Sequence, residues 1–496
     1  MPQHVEILPG QYHDSVTLML VSQDVGRRDD VDAVLVAMAT ELNLEVLTDM
    51  GLAAPEGAGP NDLVVGLIGR DDSAIAAARQ AVDDALAAAS RGPAATGDPL
   101  GGDEPPRTLG AAVRRTPADL ALVSVPGQHA FVDAMDALRA GVNVMVYSDN
   151  VPVAQEVALK AEARRRGLLV MGPDAGTAIV SGVGLGFANA VQPGPVGVVA
   201  ASGTGAQQVC CLLDDAGVGV SHVLGVGGRD LSAEVGGAST LAGLAALDAD
   251  AATEVIVVLS KPPDAGVAER VRAAASECTT PVVLGFVGRG QRDLGAITAA
   301  ALDVLGRSYD QSASWGEAAL PAGDVLQGYF AGGTLCDEAM AIAAERLGPI
   351  RSNTPLEAGW ALPASLSDDG HWMIDFGEDE MTRGRPHPMI DQSLRSERLH
   401  REAARGRRLV ALVDVVLGYG AHPDPAAELA PAIRRARDAA RAAGGDLAVV
   451  VSLIGTLGDP QDRDRQASTL ADAGCLVHLS NAAAARAAVD LVETAR

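Results

Sequence analysis

The sequence predicts a multidomain α/β protein built on parallel β-sheets, and three observations support this fold class. Short apolar runs repeatedly end in Gly-rich turns and lead into helical stretches, the pattern of parallel strands joined by crossovers. Hydrophobic residues make up 48% of the chain but aromatic residues only 3%, and there are 56 glycines, so Ala, Val and Leu must fill closely packed layers. At 496 residues the chain is too long for a single hydrophobic core.

Residues 1–92 predict a small N-terminal α/β domain. We expect three strands and two helices in it: Val5–Leu8, Val31–Met38 and Asp62–Ile68 as strands, Asp14–Gln23 and Ser73–Ser90 as helices. The Gly-, Pro- and Asp-rich run Arg91–Arg107 has no periodicity and predicts a linker, which we place at residues 93–109.

Strand–loop–helix units from Leu120 onward predict three further domains, at residues 110–193, 194–310 and 324–496. A second boundary is expected in Ser308–Gly323. The expected elements of residues 110–193 are strands at Leu120–Val125, Val142–Ser148 and Leu168–Pro173 and helices at Phe131–Ala140 and Val153–Arg166. Later strands are expected in the runs that begin at Val196, His222, Glu254, Pro281, Leu409 and Leu447.

Charge and composition exclude several functions. The formal net charge is −26, and no basic stripe interleaved with aromatic residues occurs, so we expect neither nucleic acid nor membrane as a partner. The N-terminus lacks the features of a signal peptide and no apolar run is long enough to span a bilayer, which predicts a cytoplasmic protein. The five cysteines have no metal-ligand spacing, and no metal site is predicted.

The strongest local signal is the run Val196–Gln208, in which an apolar strand leads into Ser202, Gly203, Thr204 and Gly205 and then into a helix. Glycines let an anion approach backbone amides, Ser202 can cap the helix, and the helix dipole favours phosphate or carboxylate. A plain strand–helix turn is the alternative. Gly332–Ala343 echoes this Gly–Thr turn, either as a remote repeat or as a common way to begin a helix.

Two further Gly-rich turns follow expected strands. Gly227, Gly228 and Arg229 lie in Leu224–Gly237, where Arg229 can clamp an anion or form an ordinary surface pair with Asp230. Met171–Ile179 contains Gly172, Asp174 and Thr177 and suggests a Gly–Thr step into a helix. Ligands bind at the carboxyl ends of strands in open α/β sheets, so these turns are expected to converge on one phosphate site.

Two stretches in the last third add candidates. The Pro-constrained loop Thr382–Asp391 contains Arg383, Arg385 and His387, which favours an anion site or a solvated connector. Gly418, Tyr419 and Gly420 repeat the strand-to-helix pattern, with His422 close by in sequence. Arg229, Arg385 and His387 are the candidate catalytic residues.

These stretches together resemble succinyl-CoA synthetase. Leu120–Pro152 and Gly167–Ile179 resemble the CoA-binding half of its α chain, and the runs from Val196, Gly225 and Pro281 resemble the α ligase domain. Leu409–Val477 resembles the C-terminal domain of the β chain. The fused order, with Ser260–Pro263 (SKPP), GGRDLSAEVGG and GRPHPMID, is similar to FdrA-type, acyl-CoA synthetase-like proteins. The resemblance implies a CoA-binding-like Rossmann domain and two flavodoxin-like synthetase-type domains after the small N-terminal domain.

One departure from the synthetase stands out. The place where its α chain carries a phosphate-accepting histidine reads Gly288–Ile297 here and contains no histidine. The resemblance therefore implies acyl transfer from an acyl phosphate held between two facing helix N-termini, those after Ser202 and after Tyr419, without a phosphohistidine.

The reaction that this resemblance implies most concretely is carbamoyl transfer between carbamoyl phosphate and oxamate, giving oxalurate and phosphate in allantoin catabolism. The alternatives are an acid–CoA ligase, with CoA as a possible cofactor, or a non-catalytic subunit that only holds ligand. We expect a homo-oligomer, partner subunits, or both.

Overall fold

The computed structural model describes residues 2–11, 13, 15–28, 30–55, 57–90, 106–317, 320–382 and 385–493. The chain forms two compact units. The first contains Met1–Pro105 and the returning segment Glu378–His387, and the second contains Pro106–Gly377 and Pro388–Arg496. Most of the expected linker Arg91–Arg107 lies outside the described residues.

The first unit is an antiparallel sheet covered by helices on both faces. Its strands pair in the order β1-β3-β2, with β3 antiparallel to both neighbours. The sequence analysis did not predict the helix α2. Thr40 caps this helix by accepting a hydrogen bond from Asn43 N, and a threonine directly before a helical stretch is a recognisable N-cap signal. The elements are β1 (Gln3–Leu8), α1 (Ser15–Gly26), β2 (Val31–Met38), α2 (Glu41–Asp49), β3 (Leu63–Gly69), α3 (Asp72–Ser90) and, in the returning segment, α12 (Asp379–Thr382).

The second unit begins with a three-stranded parallel sheet in the order β4-β5-β6. Small residues such as Ala130, Ala134 and Ala137 let the helices approach the sheet closely, which is how a chain poor in aromatic residues fills this core. The elements are α4 (Leu109–Arg115), β4 (Leu120–Val123), α5 (Gly127–Arg139), β5 (Asn143–Val146), α6 (Val153–Arg166) and β6 (Val170–Met171).

A six-stranded sheet follows, in the order β12-β11-β9-β10-β7-β8. Strands β9 to β12 are parallel and alternate with helices, as the apolar runs predicted. The elements are β7 (Thr177–Val180), β8 (Val183–Gly186), β9 (Pro193–Ala200), α7 (Gly203–Asp215), β10 (Val220–Gly225), α8 (Ala238–Asp248), β11 (Val255–Ser260), α9 (Ala265–Glu277), β12 (Val282–Phe286) and α10 (Leu294–Val304).

The helix suggested after Gly176 is wrong, because Thr177 begins strand β7. The β-branched residues Thr177, Ile179 and Val180 favour a strand. Ser181 and Gly182 both have positive φ (49° and 79°) and join β7 to β8 in a two-residue hairpin turn.

The second six-stranded sheet has the order β13-β18-β17-β16-β14-β15, parallel except for the edge strand β13. The expected boundary Ser308–Gly323 supplies that edge strand, which pairs with β18. The elements are β13 (Ser314–Trp315), β14 (Val325–Phe330), α11 (Gly333–Leu347), a short 3₁₀ helix (Ala358–Trp360), β15 (Trp372–Asp375), α13 (Ser393–Ala403), β16 (Arg408–Val416), α14 (Pro425–Ala442), β17 (Asp446–Ile454), α15 (Arg463–Asp472), β18 (Cys475–His478) and α16 (Asn481–Glu493).

The two six-stranded sheets share one hydrophobic core. It contains residues of α7, α10, α11 and α16, including Cys210, Leu335 and Val489, together with inward residues of both sheets. Helices α7 and α11 each follow an interior strand of their own sheet, β9 and β14, and pack against each other. This packing brings the first turns of two helices from different sheets to one place.

The predicted fold class is confirmed: the chain is a mixed α/β protein with several parallel sheets and a small N-terminal domain. All five cysteines are free thiols; four are buried, and Cys278 is half-buried. In the part of the chain that the structure describes, no helix has both the length and the apolar content that crossing a bilayer requires.

Candidate active site

Ser202 begins the helix α7 as the sequence predicted. Its backbone is extended, with φ −159° and ψ 114°, and its Oγ accepts a hydrogen bond from Gly205 N at 3.0 Å. The same hydroxyl donates to Thr334 Oγ1 at 2.6 Å, across 132 residues of sequence. Ser202 therefore caps α7 and also connects it to the first turn of α11.

The start of α11 is held by a buried acid instead of a side-chain cap. Asp414, at the carboxyl end of β16, accepts hydrogen bonds from Ala331 N at 2.7 Å and Gly332 N at 2.8 Å. Arg395 Nη1 donates to Asp414 at 2.5 Å. Burial raises the pKa of Asp414, although Arg395 and the two amides favour its charged form. Asp414 thus fixes the turn before α11 and accepts no hydrogen bond from the amides that follow Gly332.

Glycine and threonine interlock where the two helices begin. A Cβ on Gly332 would lie 2.6 Å from Thr204 Oγ1, and a Cβ on Gly205 would lie 3.1 Å from Thr334 Cγ2. Each helix thus places a glycine against the threonine of the other, which a larger residue would prevent. The Gly–Thr echo seen in the sequence marks the two helix starts that meet.

The first turns of the two helices leave backbone donors without partners. Among the described residues, no hydrogen-bond acceptor is found for the N–H groups of Gly203, Thr204, Gly333, Thr334 and Leu335. Gly203 is exposed, and Thr204 and Gly333 are half-buried, so solvent reaches this point. Unpaired amides at the positive ends of two helix dipoles favour an anion such as phosphate.

The second helix end is not the one that the resemblance implied. The expectation named the helix after Tyr419, which is α14, but α11 is the helix that meets α7. The first amides of α14 are occupied, because Ala426 N donates to Gln466 and Ala427 N to Asp424. Its first residue, Pro425, has no N–H.

Gly418, Tyr419 and Gly420 instead support the packing between the two sheets. Tyr419 N donates to Ala188 O at 2.8 Å, and a Cβ on Gly418 (φ 113°) would lie 2.6 Å from that same oxygen. Gly420 faces Phe187. These residues hold the segment after β16 against the segment after β8.

Lys261 is a cation near the start of α11 that the sequence reasoning missed. Its Nζ lies 3.1 Å from Asp337 Oδ2, and a Cβ on Gly333 would lie 3.1 Å from Nζ and 2.5 Å from Asp375 Oδ2. Burial alone would lower the pKa of Lys261, but the charges of Asp337 and Asp375 raise it above its ordinary value. The ammonium is therefore charged at neutral pH, and 40% of the side chain stays accessible to solvent.

Thr177 lies beside the start of α7. A Cβ on Gly203 would be 3.4 Å from Thr177 Oγ1, which donates to Phe187 O at 2.8 Å. Gly172 and Gly227 also meet, since a Cβ on Gly227 would lie 3.2 Å from the Cα of Gly172. Asp174, with φ 58°, donates its backbone N–H to Ser148 O.

Arg229 is held by a buried charge cluster in the second unit. Its guanidinium pairs with Glu156 at 3.1 Å and donates to Val151 O. Lys160 lies between Glu156 and Asp230, at 2.7 Å from each. Asp230 also accepts from the first amides of α8, so the cluster has a clear structural role. A Cβ on the neighbouring Gly228 would meet no atom within 4 Å.

Four candidates remain: Arg383, Arg385, His387 and His422. Arg385 and His387 belong to the first unit, where Arg385 Nε donates to Asn43 Oδ1 at 2.8 Å, and Arg383 lies outside the described residues. His422 accepts from Asp424 N through Nδ1, and its Nε2 lies 3.2 Å from Glu428. Burial lowers the pKa of His422, in keeping with a neutral ring in a local network.

The segment Gly288–Ile297, which lacks the synthetase's histidine, leads into α10. Asp293 caps that helix, and Glu338 of α11 accepts from Leu294 N and from Asn481 Nδ2. Burial raises the pKa of Glu338 to about 7. The half-buried Asp293 and the buried Glu338 thus hold α10 at its start, and Glu338 connects it to α11.

A family model described as "AllF, heavy metal-associated domain" matches residues 1–99, and one described as "CoA-ligase" matches residues 329–491. The first description implies a metal, but residues 1–99 contain no cysteine and only two histidines. No group of three or more potential ligands that could hold an ion occurs among the described residues. The residues present therefore do not fit a metal site of this kind.

The chain is similar to curated proteins over its whole length and over part of it. The Escherichia coli protein YahF, which is uncharacterized, is 36% identical over 97% of this chain and 97% of its own length. Subunit alpha 1 of an Archaeoglobus fulgidus succinate–CoA ligase is 29% identical over 37% of this chain and 62% of its own. A Methylorubrum extorquens malate–CoA ligase subunit alpha is 27% identical over 43% and 76%.

Solved structures give weaker matches. A dinucleotide-forming acetyl-coenzyme A synthetase from Ca. Korarchaeum cryptofilum, in complex with phosphate and ADP, has a TM-score of 0.32 and 17% identity, and the match covers 81% of this chain and 88% of that one. An ATP citrate lyase from Methanothrix soehngenii has a TM-score of 0.33 and 22% identity, covering 36% and 31%. Scores this low support no argument.

Proposed function

The chain belongs to the FdrA-type family of the succinyl-CoA synthetase superfamily, enzymes of the acid–CoA ligase kind, and on that premise we propose that it transfers an acyl group from an acyl phosphate. The phosphate lies at the junction of α7 and α11. The most concrete reaction is carbamoyl transfer between carbamoyl phosphate and oxamate, in allantoin catabolism.

The observation that carries this proposal is the pair of helix starts, where five amides have no acceptor among the described residues. Gly203 and Thr204 present two donors, and Gly333, Thr334 and Leu335 present three. Asp414 and Ser202 already satisfy the neighbouring amides, so these donors are held in position before a ligand binds. Donors fixed in advance stabilise charge as it develops on a leaving group.

In the forward direction the amide nitrogen of oxamate attacks the carbonyl carbon of carbamoyl phosphate. The new C–N bond forms as the bond from that carbon to the bridging phosphate oxygen breaks. The nitrogen loses a proton to solvent, and the products are oxalurate and inorganic phosphate. The charge that grows on the departing phosphate is stabilised by the amides of α7 and α11. No histidine relay is needed, which agrees with the sequence of Gly288–Ile297.

Acid–CoA ligase activity is the second candidate, since the CoA-ligase model matches residues 329–491 and the curated relatives include succinate– and malate–CoA ligase subunits. In this case CoA is the acceptor: its sulfur attacks the acyl carbon, the bond from that carbon to the bridging phosphate oxygen breaks, the thiol proton goes to solvent, and the products are acyl-CoA and inorganic phosphate. An open cavity of about 220 Å³ lies beside Pro262 and Phe286, at the carboxyl ends of β11 and β12, and we assign it as the entry point for either acceptor.

A phosphate-release assay tests the proposal. Purified protein, alone and with candidate partner subunits, is given carbamoyl phosphate with oxamate or with CoA, and both phosphate and the acylated product are measured. We expect phosphate and oxalurate in equal amounts with oxamate. Acyl-CoA with CoA alone would support the ligase instead. Oxalurate formation that persists when this chain is omitted from the mixture would make the chain a non-catalytic subunit.

A further inference from the structure

Lys261 is one of only two lysines in the sequence, which otherwise uses arginine. The other, Lys160, is fully buried between Glu156 and Asp230 and has a structural partner on each side. Lys261 follows the last residue of β11 and lies beside the first turn of α11. A flexible stem and a compact ammonium with three donors distinguish lysine from arginine at such a point.

Only the acidic neighbours of Lys261 favour a cation at this position. The start of α11 carries the positive end of the helix dipole, which repels an ammonium and attracts an anion. Asp337, on the first turns of α11, lies 3.1 Å from Nζ, and Asp375 lies on the other side of Gly333. These two carboxylates keep the ammonium beside Gly333, whose N–H has no acceptor among the described residues.

We propose that Lys261 is a catalytic residue that donates to the phosphate of the acyl phosphate bound at the α7–α11 junction, with Asp337 as its positioning residue. This inference rests on the proposed function. One N–H group of the ammonium donates a hydrogen bond to Asp337, and another donates to the phosphate. Lys261 then supplies a full positive charge where the amides supply only partial ones. It acts as an electrostatic group and forms no covalent bond.

Calorimetry with inorganic phosphate is the first test. Lys261→Met is expected to weaken binding about 10- to 100-fold, the usual loss for one charge-assisted hydrogen bond, and K261R to restore most of it. Because K261M leaves Asp337 without its cation, the double variant K261M/D337N removes both charges, and it is expected to bind phosphate as weakly as K261M. Arg289→Met, which removes a half-exposed cation after the neighbouring strand β12, is the matched control and is expected to bind normally.

Two outcomes of the binding experiment distinguish failure of this inference from failure of the proposed function. If Gly203→Val abolishes binding but both Lys261 variants bind as tightly as the unaltered protein, Lys261 has a structural role only, and this inference is overturned. If Gly203→Val also binds normally, the anion site itself is wrong and both proposals fail. The acyl-transfer rate is measured on the same variants, and K261M is expected to lower it at saturating substrate more than K261R does.

Discussion

The contact between the two helix starts leads to a quantitative prediction. Gly332→Ala places a methyl carbon 2.6 to 2.8 Å from Oγ1, Cβ and Cγ2 of Thr204. Ordinary carbon contacts need about 3.5–4.0 Å, so α7 and α11 must separate by roughly 1 Å. Overpacking of this size costs about 1–3 kcal/mol of unfolding free energy.

A double-mutant cycle isolates that contact. Thr204→Gly removes the three atoms that clash, so Gly332→Ala should cost little more in that background than the loss of glycine at the start of a helix. The cost of losing glycine at residue 332 is the same whether or not Thr204 is replaced, and the helix-propensity change at residue 204 is the same whether or not Gly332 is replaced. Both therefore cancel in the coupling free energy. The expected coupling between the two substitutions is therefore about 1–3 kcal/mol.

Urea unfolding followed by tryptophan fluorescence measures this cycle. All three tryptophans (Trp315, Trp360 and Trp372) lie in the second unit, so the signal reports on the unit that contains the junction. Gly228→Ala is the control, because its Cβ would meet nothing, and it should change the free energy by less than about 0.5 kcal/mol. Strict additivity of Gly332→Ala and Thr204→Gly would refute the contact, and with it the shared anion site.

Three further predictions follow from the same geometry. Gly203→Val should abolish phosphate binding in calorimetry without unfolding the chain. The control Gly266→Val, near the start of α9, should bind phosphate normally. Equal binding by both variants would show that α7 is not part of the phosphate site. Burial raises the pKa of Glu338 from 4.5 to about 7, so the stability that its protonated form contributes is complete below pH 4.5 and is lost as the pH rises through 7. The variant Glu338→Gln should therefore show a smaller fall of Tm between pH 4.5 and 7 than the unaltered protein. An unchanged slope of Tm against pH would assign the fall to other groups. Lys160→Met should cost about 3–5 kcal/mol in urea unfolding, since it leaves Asp230 buried without its cation and Glu156 paired with Arg229 alone; a change below about 1 kcal/mol would contradict the charge cluster.

The regular elements were largely predictable from the sequence. Strand and helix positions follow from local periodicity, and Val31–Met38 and Val153–Arg166 were predicted to the residue. The helix α2 and the β7–β8 hairpin were missed because short elements depend on one cap or one turn, which the apolar pattern does not report. The Ser202 turn was predictable because Ser, Gly and the helix that follows lie within a few residues.

The partner of that turn was not predictable with the same certainty. Sequence reasoning noticed that Gly332–Ala343 echoes Ser202–Leu213, yet it chose the helix after Tyr419 as the facing one. Only the packing of α7 on α11 decides between the two, through contacts such as Ser202 to Thr334 that join distant parts of the chain. Lys261 had two usable signals, the rarity of lysine in this sequence and its place in the SKPP motif, but neither gives a location relative to α11.

The sequence alone thus determined the α/β fold class, the alternation of parallel strands with helices, and one helix start with exposed amides, because these depend on neighbouring residues and on backbone geometry. The tertiary structure decided which second helix faces the first, and it placed Lys261, Asp337 and Asp414 around their meeting point. Those placements depend on two sheets sharing one core, and such long-range packing leaves no periodic trace in the order of residues.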